Sequence, residues 1–346
     1  MTPSKPALLV LAAAVSASLA ACADGGSAEA HGTGAAGKPS LTLYSAQHEN
    51  LTEDWVKAFE ARTGIPVQVR YGKDSSMGNQ LVEEGAKSPA DVFLTENSPA
   101  MTTVQDADLL ADVPRSTLDQ VEPGHVPSSG QWVGVAARST VLVYNPAKVS
   151  EADLPTSVMD LADAKWAGAW GAAAGGADFQ AIVSAVLDTQ GEAKTAAWLE
   201  GLKKNAKVYQ NNTATMKAVN AGQVPMGLIY HYYWYRDQAL TKAGSKNTKL
   251  LYFRNQDPGA FVSVSGGAVL KSSKHAANAQ KFLAFVTGPE GQKILATSDA
   301  KEYAVGVGVA SDPALPPLAS LQAPPLDPFT LNGPKVISLM TNAGIL

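Results

Sequence analysis

The sequence predicts an α/β fold with parallel strands, divided into two lobes. Short Val- and Leu-rich runs alternate with amphipathic helical segments, which builds β-α-β units. The 346 residues exceed what one small core accommodates. A long Val- and Ala-rich run at 132–144, ended by Asn145-Pro146, is long enough to pass from one lobe to the other.

The first unit begins with a strand at 41–44, leading into Ser45-Ala46-Gln47-His48. A helix follows. Asn50 is its expected N-cap, with Glu53 three residues on as a capping-box partner. Leu51, Trp55 and Phe59 share one face, and Gly64 ends the helix. Pro66 opens a second strand at 67–71. A helix at 78–85 then leads through Ser88-Pro89 to a strand at 91–95, and so to Glu96. Beyond the long run, 166–172 reads as a strand, and Gly175-Gly176-Ala177-Asp178 opens a helix over 179–189. A helix over 193–204 carries Ala197 and Gly201 at close-packing positions. Residues 226–230 form a strand, 252–254 and 261–264 are extended, and 278–286 and 290–296 are helical. The Pro-rich stretch 313–328 is a surface connector.

The strand at 226–230 delivers the most unusual stretch of the chain, Tyr230-His231-Tyr232-Tyr233-Trp234-Tyr235-Arg236. Four tyrosines, a histidine and a tryptophan fall within seven residues of a chain that is 7% aromatic. Phenolate oxygen is a hard anionic donor and suits a hard cation. Tyr232 and Tyr233 are therefore candidate ferric ligands, with His48 and Glu96 as distant partners. The plain alternative is an aromatic core strand with one wet edge. His48, Glu96, the tyrosine pair and the Gly175–Asp178 turn each follow a strand, and α/β sheets bind ligands beyond the carboxyl ends of their strands. Two phenolates and a carboxylate supply three negative charges, and a neutral imidazole is the fourth donor. Backbone N–H groups of Gly175, Gly176 and Ala177 at a helix N-terminus suit a small anion beside the metal. One condition applies. Neighbouring residues on a strand point to opposite faces, so both tyrosines reach one metal only if the chain has left the strand.

The N-terminus reads as an export signal. Lys5 precedes an apolar run over 7–21 that ends in Leu19-Ala20-Ala21-Cys22, which resembles a bacterial lipobox. Residues 1–21 are then a lipoprotein signal peptide, Cys22 the lipidated residue, and 22–39 a flexible tether. Cys22 is the only cysteine, which excludes an intrachain disulfide and a thiolate zinc site. Within the tether, Gly32 to Lys38 approaches a phosphate-binding loop, but Pro39 stands where Ser or Thr is required. A net charge of −4, with no basic run, argues against nucleic acid as a partner.

These features together resemble the bacterial ferric-ion-binding proteins, the binding components of iron(III) ABC transporters. The markers are Tyr44-Ser45-Ala46-Gln47-His48, Ser88-Pro89-Ala90-Asp91-Val92-Phe93 followed by Glu96, Tyr232-Tyr233-Trp234, and Arg254 to Ala260 leading into Ser265 to Lys271. The resemblance spans nearly all of the body from Leu41. It implies a two-lobed periplasmic-binding-protein-like fold of type II, with the ligand between lobes that close by hinge motion. The lobes are expected at 40–138 with 263–312 and at 139–262 with 313–346, crossing near Ser139 and Val262. It also implies ferric iron held by His48, Glu96, Tyr232 and Tyr233. A synergistic anion is implied on Gly175, Gly176 and Ala177, with side-chain help from Asn97 and Asn212. The family often has serine at the position of Gly175 and asparagine at that of Tyr230, so carbonate or citrate stands beside phosphate as the anion. A monomer that catalyses no reaction is expected. It would sit on the outer face of the cytoplasmic membrane or in a periplasm, held by the lipid anchor, and deliver iron to an ABC permease. The alternatives are the same fold binding a polyamine, a phosphorylated small molecule or another oxyanion, and an exported metal-dependent hydrolase. No Gly-x-Ser-x-Gly or His-Glu-x-x-His motif favours the last. Tyr230, Trp234 and Tyr235 read as packing, and Arg236 and Arg254 as salt-bridge residues in preference to partners that neutralise the anion. His231 reads as a neighbour of the site or a surface residue.

Overall fold

The computed structural model describes residues 40–346. The signal-like segment 1–21, Cys22 and the tether to residue 39 lie outside the described residues. Nine strands are found among the described residues: β1 Leu41–Ser45, β2 Val67–Tyr71, β3 Val92–Leu94, β4 Val133–Tyr144, β5 Trp170–Ala172, β6 Ala206–Val208, β7 Met226–Tyr230, β8 Lys249–Leu251 and β9 Val262–Val269. They form one sheet in the order β2-β1-β3-β9-β4-β7-β5-β6, with β8 also on β4.

Two parallel groups make up this sheet. In the first, β1 pairs with β2 and β3, and in the second β5 pairs with β6 and β7. Antiparallel β4 and β9 join them. Every residue of β4 is buried, which is why it reads as a continuous apolar run without alternation. Its partner changes midway. Val133–Ser139 lies along β9, with Ser139 opposite Val262, and Thr140–Tyr144 lies along β7.

Helices cover both groups and bury separate cores. The helix Glu49–Thr63 packs Trp55 and Phe59 against Phe282 and Val286, with the Phe59 and Phe282 rings edge-to-face at 5.1 Å. Gly64 ends that helix in the left-handed region at φ 66°, where a Cβ would be strained. The second core gathers Trp170, Phe179, Trp198, Leu228 and Met340. Each buried Phe, Leu, Val or Met among these contributes about 1.5–3 kcal/mol by leaving water. In the connector, Leu315 and Leu321 pack into the Trp55 core.

Several elements differ from the sequence expectation. The first helix starts at Glu49, so His48 and not Asn50 occupies the N-cap, and no side chain caps it. Trp166 belongs to a 3-10 turn, and Gly168 at φ 71° delays the strand to Trp170. The strand expected at 252–254 forms at Lys249–Leu251 instead. Helices at Ser98–Asp106, Asn212–Asn220, His231–Leu240 and Gly333–Asn342 were not anticipated.

Candidate metal centre

Four strand ends meet at one place. His48 follows β1 and Glu96 follows β3. Asp178 lies in the first turn of the helix Ala177–Gln190, after β5. Tyr232 and Tyr233 lie in the first turn of the helix His231–Leu240, directly after β7. The chain has therefore left the strand, and successive side chains diverge by about 100° rather than 180°. Both tyrosines reach the same atom. The Tyr232 and Tyr233 hydroxyls each donate to Asp178 Oδ2 at 3.2 Å, with ring centroids 4.2 Å apart.

Asp178 is the hub of the site. Asn97 Nδ2 donates to its Oδ1 at 3.0 Å, and Asn212 Nδ2 to its Oδ2 at 2.8 Å. The two amides expected to face a small anion thus face a carboxylate from the chain itself. Of the three expected backbone donors, Gly176 N–H is already taken by Ala173 O at 2.9 Å. The Gly175–Ala177 turn serves at least to seat Asp178. Tyr230 is more than packing, because its hydroxyl donates to Asn97 Oδ1 at 3.3 Å, beside Ser263 Oγ at 2.7 Å.

His48 closes the other side. Its Nδ1 stands 3.6 Å from Glu96 Oε1, and its ring meets Tyr232 edge-on at 4.8 Å. Its Nε2 stands 3.0 Å from Glu302 Oε1. Glu302 is fully buried and paired through Oε2 with Arg138 Nη2 at 2.6 Å, and Arg138 is buried as completely. Ser265 Oγ accepts from the same Nη2 at 2.6 Å, and the guanidinium carbon lies 5.5 Å from the centre of the Tyr232 ring. Asp74 accepts the backbone N–H groups of Glu96 and Asn97, each at 2.8 Å, and so fixes the turn that carries Glu96.

The electrostatics favour a cation. Burial, and then the Asp178 carboxylate, hold the Tyr232 and Tyr233 phenols well above their ordinary range. Burial and Asp178 also raise Glu96. Asp74 is pushed up to about 7, chiefly by burial. Glu302 goes the other way. Burial would raise it, but Arg138 and the His48 contact outweigh that and hold it at about 2. Among the described residues no three His, Cys, Asp or Glu side chains are arranged as a metal-ligand group. The tyrosine hydroxyls add oxygen atoms beside His48, Glu96 and Asp178, and such an oxygen-rich set suits a hard ion rather than zinc.

The relatives agree in kind. The family model of the bacterial extracellular solute-binding proteins matches residues 54–315. The Fe(3+)-binding periplasmic protein of Serratia marcescens is 58% identical over 306 residues, covering 88% of this chain and 90% of that protein. The major ferric iron-binding protein of Neisseria meningitidis serogroup B is 38% identical over 294 residues, 84% of this chain and 88% of its own. The chain belongs to the bacterial extracellular solute-binding proteins, among their ferric-ion-binding members. Iron-bound HitA from Pseudomonas aeruginosa matches the structure with a TM-score of 0.83 at 46% identity, over 88% of this chain and 99% of that one. A Trichodesmium protein in complex with iron and citrate matches with a TM-score of 0.76 at 28% identity, over 88% and 99% of the two chains. The fold of this family member is the two-lobed periplasmic-binding type, of mixed α/β architecture. Among the described residues no helix is long and apolar enough to cross a membrane.

The structure brings His48, Glu96, Tyr232, Tyr233, Asn97 and Asn212 to one site. Arg254 is elsewhere, donating to Ser320 O. Trp234 bonds Thr248 Oγ1 at 3.0 Å, and Tyr235 pairs with the Tyr252 hydroxyl at 3.3 Å. His231 is fully buried, its Nδ1 accepting the Ser139 N–H at 3.1 Å. Sequence reasoning placed Asp178 in the turn beside the site without a side-chain role, and gave no role to Arg138, Glu302 or Asp74. Arg138 carried a signal, since a lone cation inside an apolar run must find a buried partner. Glu302 carried none.

Proposed function

We propose that this protein captures ferric iron outside the cytoplasm and delivers it to an ABC transporter permease. The observation that carries this reading is the convergence of Tyr232 and Tyr233 on Asp178, with His48 and Glu96 alongside. His48, Glu96, Tyr232, Tyr233 and Asp178 are the protein's donors to the metal. A trivalent cation arriving among them replaces the phenol protons, since its charge favours the phenolate form. A remaining position suits an oxygen of a small anion, such as phosphate, carbonate or citrate, and the Trichodesmium relative holds citrate with its iron. We assign that small anion to the turn at Gly175–Ala177, which carries Asp178 at the start of its helix. The lobes comprise 40–138 with 263–312 and 139–262 with the C-terminal helix Gly333–Asn342, while Leu315 and Leu321 of the expected 313–346 share return to the first core, and the change of partner along β4 at Ser139 supports a hinge there. Cys22 carries the lipid anchor on the outer face of the cytoplasmic membrane or in a periplasm. The protein acts as a monomeric binder and catalyses no reaction.

Titration of the metal-free protein with ferric nitrilotriacetate tests the reading. A visible tyrosinate-to-iron band is expected, and it should vanish in Tyr232→Phe combined with Tyr233→Phe. The absence of a band in the natural sequence at saturating iron would overturn it.

A further inference from the structure

Two polar atoms at the edge of the site are left over, and they face each other. Glu302 Oε2 is occupied by Arg138 Nη2 at 2.6 Å and Gln47 Nε2 at 3.4 Å. Glu302 Oε1 has no aligned hydrogen-bond donor, and neither does His48 Nε2 have an aligned partner. They stand 3.0 Å apart. On the opposite edge of the same ring, Nδ1 faces Glu96 Oε1 at 3.6 Å.

We propose that Glu302 is the positioning residue of the iron site, fixing His48 as the Nε2–H tautomer so that the Nδ1 lone pair faces the metal. The other tautomer would set the Nε2 lone pair against a carboxylate oxygen at 3.0 Å and put the proton on Nδ1, on the edge of the ring that faces Glu96, where the metal needs a lone pair. A modest rotation of the ring brings Nε2–H into line with Oε1. Carboxylates that accept the far N–H of a ligating histidine orient the ring and raise its basicity. Arg138 holds the second oxygen of Glu302 and lies against the Tyr232 ring. One buried ion pair thereby stands behind two ligands contributed by distant parts of the chain.

The inference rests on His48 being an iron ligand, and the test separates the two claims. The first readout needs no iron. Long-range 1H–15N correlation on the metal-free protein reports which ring nitrogen carries the proton, with the His48 signals assigned by their loss in His48→Gln. The natural sequence should show Nε2–H. In Glu302→Gln, Arg138 claims the amide carbonyl and the amide NH2 faces His48, so the ring should switch to Nδ1–H. Adding Arg138→Met frees the carbonyl to turn toward His48, and Nε2–H should return. A purely structural role predicts no such reversal. This double variant removes both buried charges together, so it does not strand one of them. The second readout is competition with nitrilotriacetate. Glu302→Gln should bind ferric iron about 10- to 100-fold more weakly while keeping the tyrosinate band. Nδ1–H in the natural sequence, or Glu302→Gln binding iron as tightly with an unchanged tautomer, overturns the inference. Loss of the band in the natural sequence overturns the iron reading instead.

Discussion

The Tyr232 hydroxyl donates to Asp178 Oδ2 at 3.2 Å, so the carboxylate that would help hold a cation also holds back the phenol proton that must leave. Burial and the Asp178 charge both keep Tyr232 protonated in the metal-free protein. Asp178→Asn separates the two effects. Without the charge, the Tyr232 and Tyr233 phenols should ionise at lower pH in the metal-free protein, seen by ultraviolet difference spectra. Ferric binding should nevertheless weaken by tenfold or more, about 1.4 kcal/mol or greater, read by chelator competition. Undiminished affinity would reduce Asp178 to a hydrogen-bond acceptor.

Metal uptake should be steeply pH-dependent. Tyr232 and Tyr233 start above their ordinary range and Glu96 above its own, so all three favour the protonated form before binding. On the proposed ligation iron displaces these protons, and affinity therefore rises with pH. The two phenols alone predict a slope of about 2 in log K against pH, steeper where Glu96 is also protonated. Competition titrations across neutral pH measure it. A flat profile would mean that the phenols are not ligands.

Part of this site was legible because of where its residues fall along the chain. His48, Glu96 and the tyrosine pair each follow a strand, and their strands were recognisable from short apolar runs. The condition placed on Tyr232 and Tyr233 is met by a helix beginning at His231. Asp178 was visible beside Gly175 and Gly176, but an acid in the first turn of a helix is ordinary, since it suits the N-terminal dipole. Glu302 was beyond reach. Its partner Arg138 lies 164 residues away, and nothing local marks a buried acid in Lys301-Glu302-Tyr303. The short strands failed for a related reason. Ala206–Val208 has two exposed residues of three and depends on its pairing with Trp170–Ala172.

His125 offers a test of acid stability away from the metal. Burial lowers it to about 4, partly offset by a hydrogen bond to the Glu122 backbone. An unfolded histidine titrates near 6.5, so between those values the unfolded chain binds more protons than the native one. The contribution is fully present above about 6.5 and is lost as pH falls toward about 4. His125→Gln should remove up to about one proton from the slope of unfolding free energy against pH in that window. Urea midpoints at several pH values give the slope. An unchanged slope would place the titration elsewhere.

Gly201 shows where the second core admits no further atom. It lies in the helix Glu192–Asn205, packed on the 3-10 segment Val158–Ala162. A Cβ at Gly201 would meet Ala162 Cβ at 2.6 Å, Ala162 O at 2.9 Å and Ala162 Cα at 3.0 Å. Two of those atoms are backbone and cannot swing aside. The helix is also tied to that segment, with Trp198 Nε1 donating to Val158 O at 3.0 Å and Asn205 Nδ2 to Leu161 O at 3.2 Å. Gly201→Ala gains about 1 kcal/mol of helix propensity. Overpacking against a fixed backbone costs about 1–3 kcal/mol. The clash involves main-chain atoms, so the cost should win and the urea midpoint should fall. Ala162→Gly added to Gly201→Ala removes the 2.6 Å contact but leaves the carbonyl at 2.9 Å, and it should restore only part of the loss. Neither residue is among the proposed iron donors, so the ferric titration of both variants should match that of the natural sequence. A Gly201→Ala protein as stable as the natural one would show that the helix shifts along Ala162 despite its two hydrogen bonds.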